Sequence, residues 1–110
     1  MTSIAVTVAT LDRPAMLKRC LRSVLDGSDL PDEVIVVDGS AGDETEAVVR
    51  ELDSELITYA RNSPPSISAS RNRSVELASS DYVAIVDDDC EMPRDWLRDV
   101  RLLLERYGYP

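Results

Sequence analysis

Along this chain the hydrophobic period changes repeatedly. Short runs of consecutive β-branched residues alternate with stretches whose apolar residues recur every three or four positions. Ser3 to Thr10 (SIAVTVAT) and Glu33 to Asp38 (EVIVVD) are almost unbroken, which predicts strands buried on both faces. Leu56 to Ala60 predicts a third, shorter strand, and Asp81 to Asp87 (DYVAIVD) a fourth. Between the first two strands, Leu17, Cys20, Leu21, Val24 and Leu25 form one apolar stripe at helical spacing. Asp12 is placed to cap that helix, Pro14 falls in its first turn, Gly27 is a candidate C-cap and Pro31 lies in the connection.

After the second strand, the turn Gly39-Ser40-Ala41-Gly42 leads into a helix from about Asp43. Glu46 stands at the capping-box distance, and Val48, Val49 and Leu52 form the buried side. Pro64 and Pro65 predict a loop, and Ser68 to Ala78 a helix with a thin apolar face of Ala69, Val75 and Ala78. Pro93 opens a last helix whose inward stripe is Leu97, Val100, Leu103, Leu104 and Tyr107. Strands separated by helices of this length pair in parallel, since the right-handed crossover returns each strand in the same sense. The expected fold class is α/β: an open, mostly parallel doubly wound sheet, Rossmann-like, with about four strands and a switch point beside the first strand.

At 110 residues the chain suits one domain, and 44% apolar content is enough for a hydrophobic core. A net charge of −9 argues against nucleic-acid binding. Histidine is absent, which excludes Ser-His-Asp triads, Cys-His dyads and His-ligated zinc. Cys20 and Cys90 form neither a CxxC pattern nor a disulfide framework. No run approaches the ~20 apolar residues of a membrane span, so the expected setting is cytoplasmic. Chemistry must therefore rest on carboxylates, hydroxyls, backbone groups and arginines.

In such a sheet, ligands gather beyond the carboxyl ends of the strands. Thr10, Leu11 and Asp12 leave strand one there, Asp38, Gly39 and Ser40 leave strand two, and Asp87, Asp88 and Asp89 leave strand four. Arg71 and Arg73 follow the third. Three adjacent carboxylates repel one another unless something cationic offsets them. In an extended segment Asp87 and Asp89 point the same way and can share one hard cation, while Asp88 points elsewhere. Asp38, ending a buried strand, is placed to accept from a ribose hydroxyl or a base N–H, or to serve its own turn. Guanidinium groups at Arg71 and Arg73 suit a diphosphate or ribose as well as surface ion pairs. Ser40 and Ser70 read as turn and helix hydroxyls, and Trp96 as packing.

Three stretches, VTVATLDRPAMLKRCLRSV, PDEVIVVDGSAGDET and SISASRNRSVELASSDYVAIVDDDCEMPRDWL, together resemble family 2 glycosyltransferases of the GT-A fold over nearly the whole chain. The resemblance implies a donor domain over residues 1–110 that binds a nucleoside diphosphate sugar, most commonly a UDP-sugar. Its DxD motif falls on Asp87 and Asp89, holding Mg2+ or Mn2+. Asp38 falls on the acid that contacts the base, Thr10 and Asp12 fall where the nucleoside packs, and Arg71 matches the arginine of the family's ARN stretch. Leu11, Ser40 and Asp88 complete the expected nucleotide-sugar site. Gly39 and Asp12 depart from the pattern, which often has an acid and an asparagine at those places. Nothing in the chain matches the family's acceptor-binding half, which carries the catalytic base of inverting members, so low activity in isolation is expected. The acceptor implied is a saccharide or a lipid-linked one. The competing expectation is a non-catalytic, truncated nucleotide-binding or self-associating module, a bare sheet edge favouring self-association.

Overall fold

The computed structural model describes residues 2–62 and 66–108. Four strands, β1 (Ile4–Thr10), β2 (Glu33–Asp38), β3 (Ile57–Arg61) and β4 (Tyr82–Ile85), alternate with α1 (Pro14–Leu25), α2 (Glu44–Leu52), α3 (Ile67–Leu77) and α4 (Trp96–Tyr107). The strands form one sheet in the order β3-β2-β1-β4 with every pairing parallel. The predicted α/β architecture is the observed one. From β1 the chain steps to β2 and β3 on one side, then returns through α3 to place β4 on the other. The connections therefore reverse direction between β1 and β4, as expected of a doubly wound sheet.

The two faces of the sheet are covered unequally. Val6, Val8, Val34 and Val36 pack with Leu17, Cys20, Leu21 and Val24 of α1 and Val49 of α2, all within a few per cent of complete burial. Burying a Val or Leu side chain contributes roughly 1.5–3 kcal/mol, so this layer dominates the favourable terms. α3 lies across β1 and β2. It turns Ser70 and Ser74 toward them and leaves Ala69 and Val75 exposed, which reverses the apolar face expected of this helix. Small residues allow the close approach, and Ser74 satisfies its own hydroxyl by donating to the Arg71 carbonyl at 2.7 Å.

Several local expectations are corrected. α1 starts from Arg13 at its N-cap position without a side-chain bond, and Asp12, one residue earlier, sits in the left-handed region at φ 53° rather than in the conformation of an N-cap. Gly27 is not a left-handed cap; the helix ends at Asp26, and Gly27 serves a close approach, since a Cβ there would meet the Arg94 carbonyl oxygen at 3.2 Å. No capping box forms on α2: Glu46 instead accepts from Arg50 and Arg61, and Thr45 joins Val49 on the buried side. β4 is shorter than predicted and is an edge strand, with Ile85 57% exposed. α4 begins at Trp96, and of its expected inward stripe Leu103 and Tyr107 are exposed while Leu97 is buried. The loop predicted at Pro64 and Pro65 lies outside the described residues. No helix among the described residues is long and apolar enough to cross a membrane.

Besides the buried Leu97, one polar side chain ties α4 to the rest of the domain. The Arg101 guanidinium donates to Asp29 at 2.7 Å, to Asp32 at 3.2 Å and to the carbonyls of Leu30 (3.0 Å) and Thr2. Asp32 also accepts from the Ile4 N–H at 2.8 Å, so the helix is tied to the first residue of β1.

Candidate functional site

Where β1 and β4 end, the two strands part. The Val86 N–H donates to the Thr7 carbonyl at 2.9 Å, the last backbone bond between these two strands among the described residues. The gap is a cleft of about 370 Å³ lined by Ala9, Leu11, Arg13, Arg71, Val86, Asp87, Asp88 and Asp89. Its position at the reversal of strand order is where open parallel sheets place ligands.

The three aspartates divide as expected, though by a different local geometry. The Cys90 N–H donates to the Asp87 carbonyl at 3.1 Å, closing a turn rather than continuing an extended strand. Asp87 and Asp89 both remain exposed, and an oxygen of each lies with Cys90 Sγ in a group whose members are all within 4.8 Å of one another. Asp88 points inward and is 7% exposed. It accepts from Thr10 Oγ1 at 2.9 Å and from Arg13 Nη1 at 3.4 Å. Two carboxylates converging on a solvent-open cleft fit the hard-oxygen preference of Mg2+ or Mn2+ and leave positions for other oxygens. The nearby thiol is softer and adds little to that preference.

Arg71 enters from α3, with Nη2 3.1 Å from Asp87 Oδ1, both side chains about half exposed. Arg73 faces away, along a separate surface recess with Ala69, Asn72, Glu76 and Leu77. Leu11 is 39% exposed on the cleft wall and supplies apolar surface.

The strand-two residues form a buried annex to this cleft. Asp38 is completely buried. Its Oδ1 accepts from the Ser40 N–H at 2.8 Å and its Oδ2 from the Tyr59 hydroxyl at 2.6 Å. Burial, then the hydrogen bond to Asp38, pushes the Tyr59 phenol well above its ordinary value. Ser40 Oγ accepts from the Asp12 N–H at 2.8 Å and lies 3.3 Å from Thr45 Oγ1. Arg61 adds a bond to the Ser40 carbonyl at 3.5 Å while pairing with Asp43 and Glu46. Thus Asp38, Ser40 and Asp12 are linked to one another, Thr10 joins Asp88, and the two sets meet at the end of β1. Asp38 and Ser40 do not line the cleft itself.

Three participants were missed in the sequence: Arg13, Tyr59 and Cys20. Arg13 stands between the supposed cap Asp12 and Pro14, so the capping expectation hid it. Tyr59 lies mid-strand, where an aromatic reads as packing; the β2–β3 register sets it opposite Val36, two residues before Asp38, and its hydroxyl reaches the Asp38 carboxylate. Cys20, on the stripe of α1, reaches the Asp87 carbonyl with Sγ at 3.5 Å.

Comparison with known proteins bears on this site. The chain matches the model of glycosyl transferase family 2 over residues 5–109. It is 31% identical over 97 residues to GalNAc(5)-diNAcBac-PP-undecaprenol beta-1,3-glucosyltransferase of Campylobacter jejuni, covering 84% of this chain and 31% of that protein. Among solved structures, the mannosyltransferase PcManGT of Pyrobaculum calidifontis in complex with GDP-Man and Mn2+ superposes with a TM-score of 0.81 at 26% identity, over 92% of this chain and 32% of the other. TarS 1–349 of S. aureus in complex with UDP-GlcNAc gives a TM-score of 0.84 at 22% identity, over 97% of this chain and 32% of that one, which shows the fold. The chain spans about a third of the length of each.

Proposed function

Because the chain belongs to glycosyl transferase family 2, we propose that the cleft between the ends of β1 and β4 is a nucleotide-sugar donor site, with a divalent cation held by Asp87 and Asp89. The observation that carries this reading is the convergence of those two exposed carboxylates on a cleft whose other ionisable lining residues are Arg13, Arg71 and Asp88. Positive charge stabilises a diphosphate, and the cleft can offer it from the proposed cation and from the guanidinium groups of Arg13 and Arg71. When bound, the Mg2+ or Mn2+ ion offsets the charge that develops on the departing nucleoside diphosphate.

The chain's own residues supply the rest of the donor side. Leu11 and Ala9 offer an apolar wall for the nucleoside, next to the turn ordered by Thr10, Asp12, Asp38 and Ser40. Arg71 is within side-chain reach of the same space and can donate to phosphate oxygens. The reaction proposed is displacement at the anomeric carbon with inversion. The acceptor hydroxyl forms the new bond, the bond to the diphosphate breaks, and a base takes the hydroxyl proton. No lining residue of this cleft is assigned that base. The acceptor is a saccharide or a lipid-linked saccharide, a class consistent with the name of the Campylobacter relative, and a UDP-sugar is the donor proposed.

Titration calorimetry with UDP and Mn2+ tests the donor site. Wild-type protein should bind UDP only with Mn2+ present, and Asp87→Ala and Asp89→Ala should each weaken Mn2+-dependent binding about tenfold or more. Equal UDP binding by all three proteins, or none by any, would refute the assignment.

A further inference from the structure

The aspartate run has one member that behaves unlike its neighbours. Asp88 is 7% exposed, whereas Asp87 and Asp89 are open to the cleft. Its two oxygens are engaged separately, Oδ2 by the Thr10 hydroxyl at 2.9 Å and Oδ1 by Arg13 at 3.4 Å. Thr10 is itself 2% exposed and is the last residue of β1. These bonds join the exit of β1 to the exit of β4 at the level where the backbone ladder between them has ended. The main chain on either side of Asp88 is otherwise held by the Val86 N–H on the Thr7 carbonyl, the turn from Asp87 to Cys90 and the Cys20 thiol on the Asp87 carbonyl, none of which engages Asp88 itself.

We propose that Asp88 is a positioning residue, whose bond to Thr10, supported by the Arg13 guanidinium, fixes the β4 exit so that Asp87 and Asp89 face the cleft together. This inference rests on the donor-site reading above and assigns Asp88 neither to the metal nor to the nucleotide. Holding two like-charged carboxylates side by side is unfavourable, so an untethered loop relieves the repulsion by splaying them. A buried carboxylate that accepts from two donors costs free energy to withdraw, because the withdrawn Thr10 hydroxyl would be left unpaired in the interior. The inward aspartate therefore restrains the orientation of the two outward ones. Arg13, about half exposed, offsets the buried charge without closing the cleft.

The test is a double-mutant cycle on Thr10 and Asp88, read as Mn2+ affinity by electron paramagnetic resonance in the absence of any nucleotide. Thr10→Val, which removes only the hydroxyl, should weaken Mn2+ binding about tenfold, and Thr10→Ser should restore it. In an Asp88→Asn background, Thr10→Val should have a much smaller effect, because the restraint is already weakened. Multiplicative losses in the double variant, or unchanged Mn2+ affinity in Thr10→Val, would overturn the proposal while leaving the metal site intact. Wild-type protein that does not bind Mn2+ would remove the donor-site reading and this one with it. Circular dichroism identifies a variant that has failed to fold. In that event Arg13→Gln, whose residue is half exposed, carries the decision: a several-fold weaker Mn2+ affinity supports the restraint, and no change overturns it.

Discussion

Replacing Tyr59 with Phe removes one oxygen and leaves the ring, so it isolates the bond that the phenol makes to a completely buried carboxylate. At 2.6 Å this is a short, charge-assisted contact, of a class that contributes about 1.5–3 kcal/mol. Tyr59 is only partly buried, and Asp38 keeps the Ser40 N–H, so the expected loss is lower, about 1–2 kcal/mol. For a domain of this size that lowers Tm by roughly 4–8 °C. The pH dependence gives an independent check. Burial and Asp38 raise the phenol above its ordinary value of 10.0 in the folded protein, so folding favours the protonated form. The resulting stability is fully present below pH 10 and declines as pH rises further, when the unfolded phenol ionises and the folded one resists. Thermal melts followed by circular dichroism should show wild type and Tyr59→Phe separated near neutrality and converging above pH 10. A variant as stable as wild type at pH 7, or a separation that widens at alkaline pH, would show that Tyr59 does not hold Asp38.

Arg101→Ala should cost about 2–3 kcal/mol in urea unfolding, because it leaves Asp29, Asp32 and two carbonyls short of a donor at a site where the arginine is 14% exposed. Arg101→Lys should recover less than half, since one ammonium cannot reach all four acceptors. The Ile4 N–H first, and then Arg101, hold Asp32 below its ordinary value, so this stability is present above about pH 4 and lost as pH falls; the variant should show a shallower acid decline. In native protein at pH 8 a thiol reagent should modify exposed Cys90 and spare Cys20, whose thiol burial pushes up to about 12; two reactive thiols per folded chain would contradict this.

Much of this molecule could be read from period alone, and the failures have separate physical causes. Strands β1 and β2 are central, so their sequences are nearly continuous in apolar character and their boundaries are clear. Where one face is left open, the pattern misleads. Val83 and Ile85 continue an apolar run but lie on the sheet edge, and Leu103 and Tyr107 keep helical spacing yet are exposed. α3 fails in the opposite sense, because a helix that packs closely through Ser70 and Ser74 carries no hydrophobic stripe to detect. Caps were misjudged for a further reason. Asp12 and Asp43 are good capping residues in isolation, yet Asp12 is held at φ 53° beside Ser40 rather than in the extended conformation of an N-cap, and the Asp43 carboxylate is taken by Arg61, both arrangements made only after the sheet assembles.

The site follows the same logic one level up. A run of acids at a strand exit signals a cation, but cannot say which acids share it, because that depends on where the neighbouring strand ends. Here β1 ends in Thr10, a hydroxyl at the height of Asp88, and β4 stops pairing before that level. The mismatch in strand ends opens the cleft, and the threonine gives the middle carboxylate an interior partner. Exchange of Thr10 for an apolar residue would keep the β1 pattern, the predicted fold and the DxD spacing unchanged. It would nevertheless remove the contact by which Asp88 is held inward, so the function proposed for this cleft depends on a residue that hydrophobic periodicity alone does not distinguish from its neighbours.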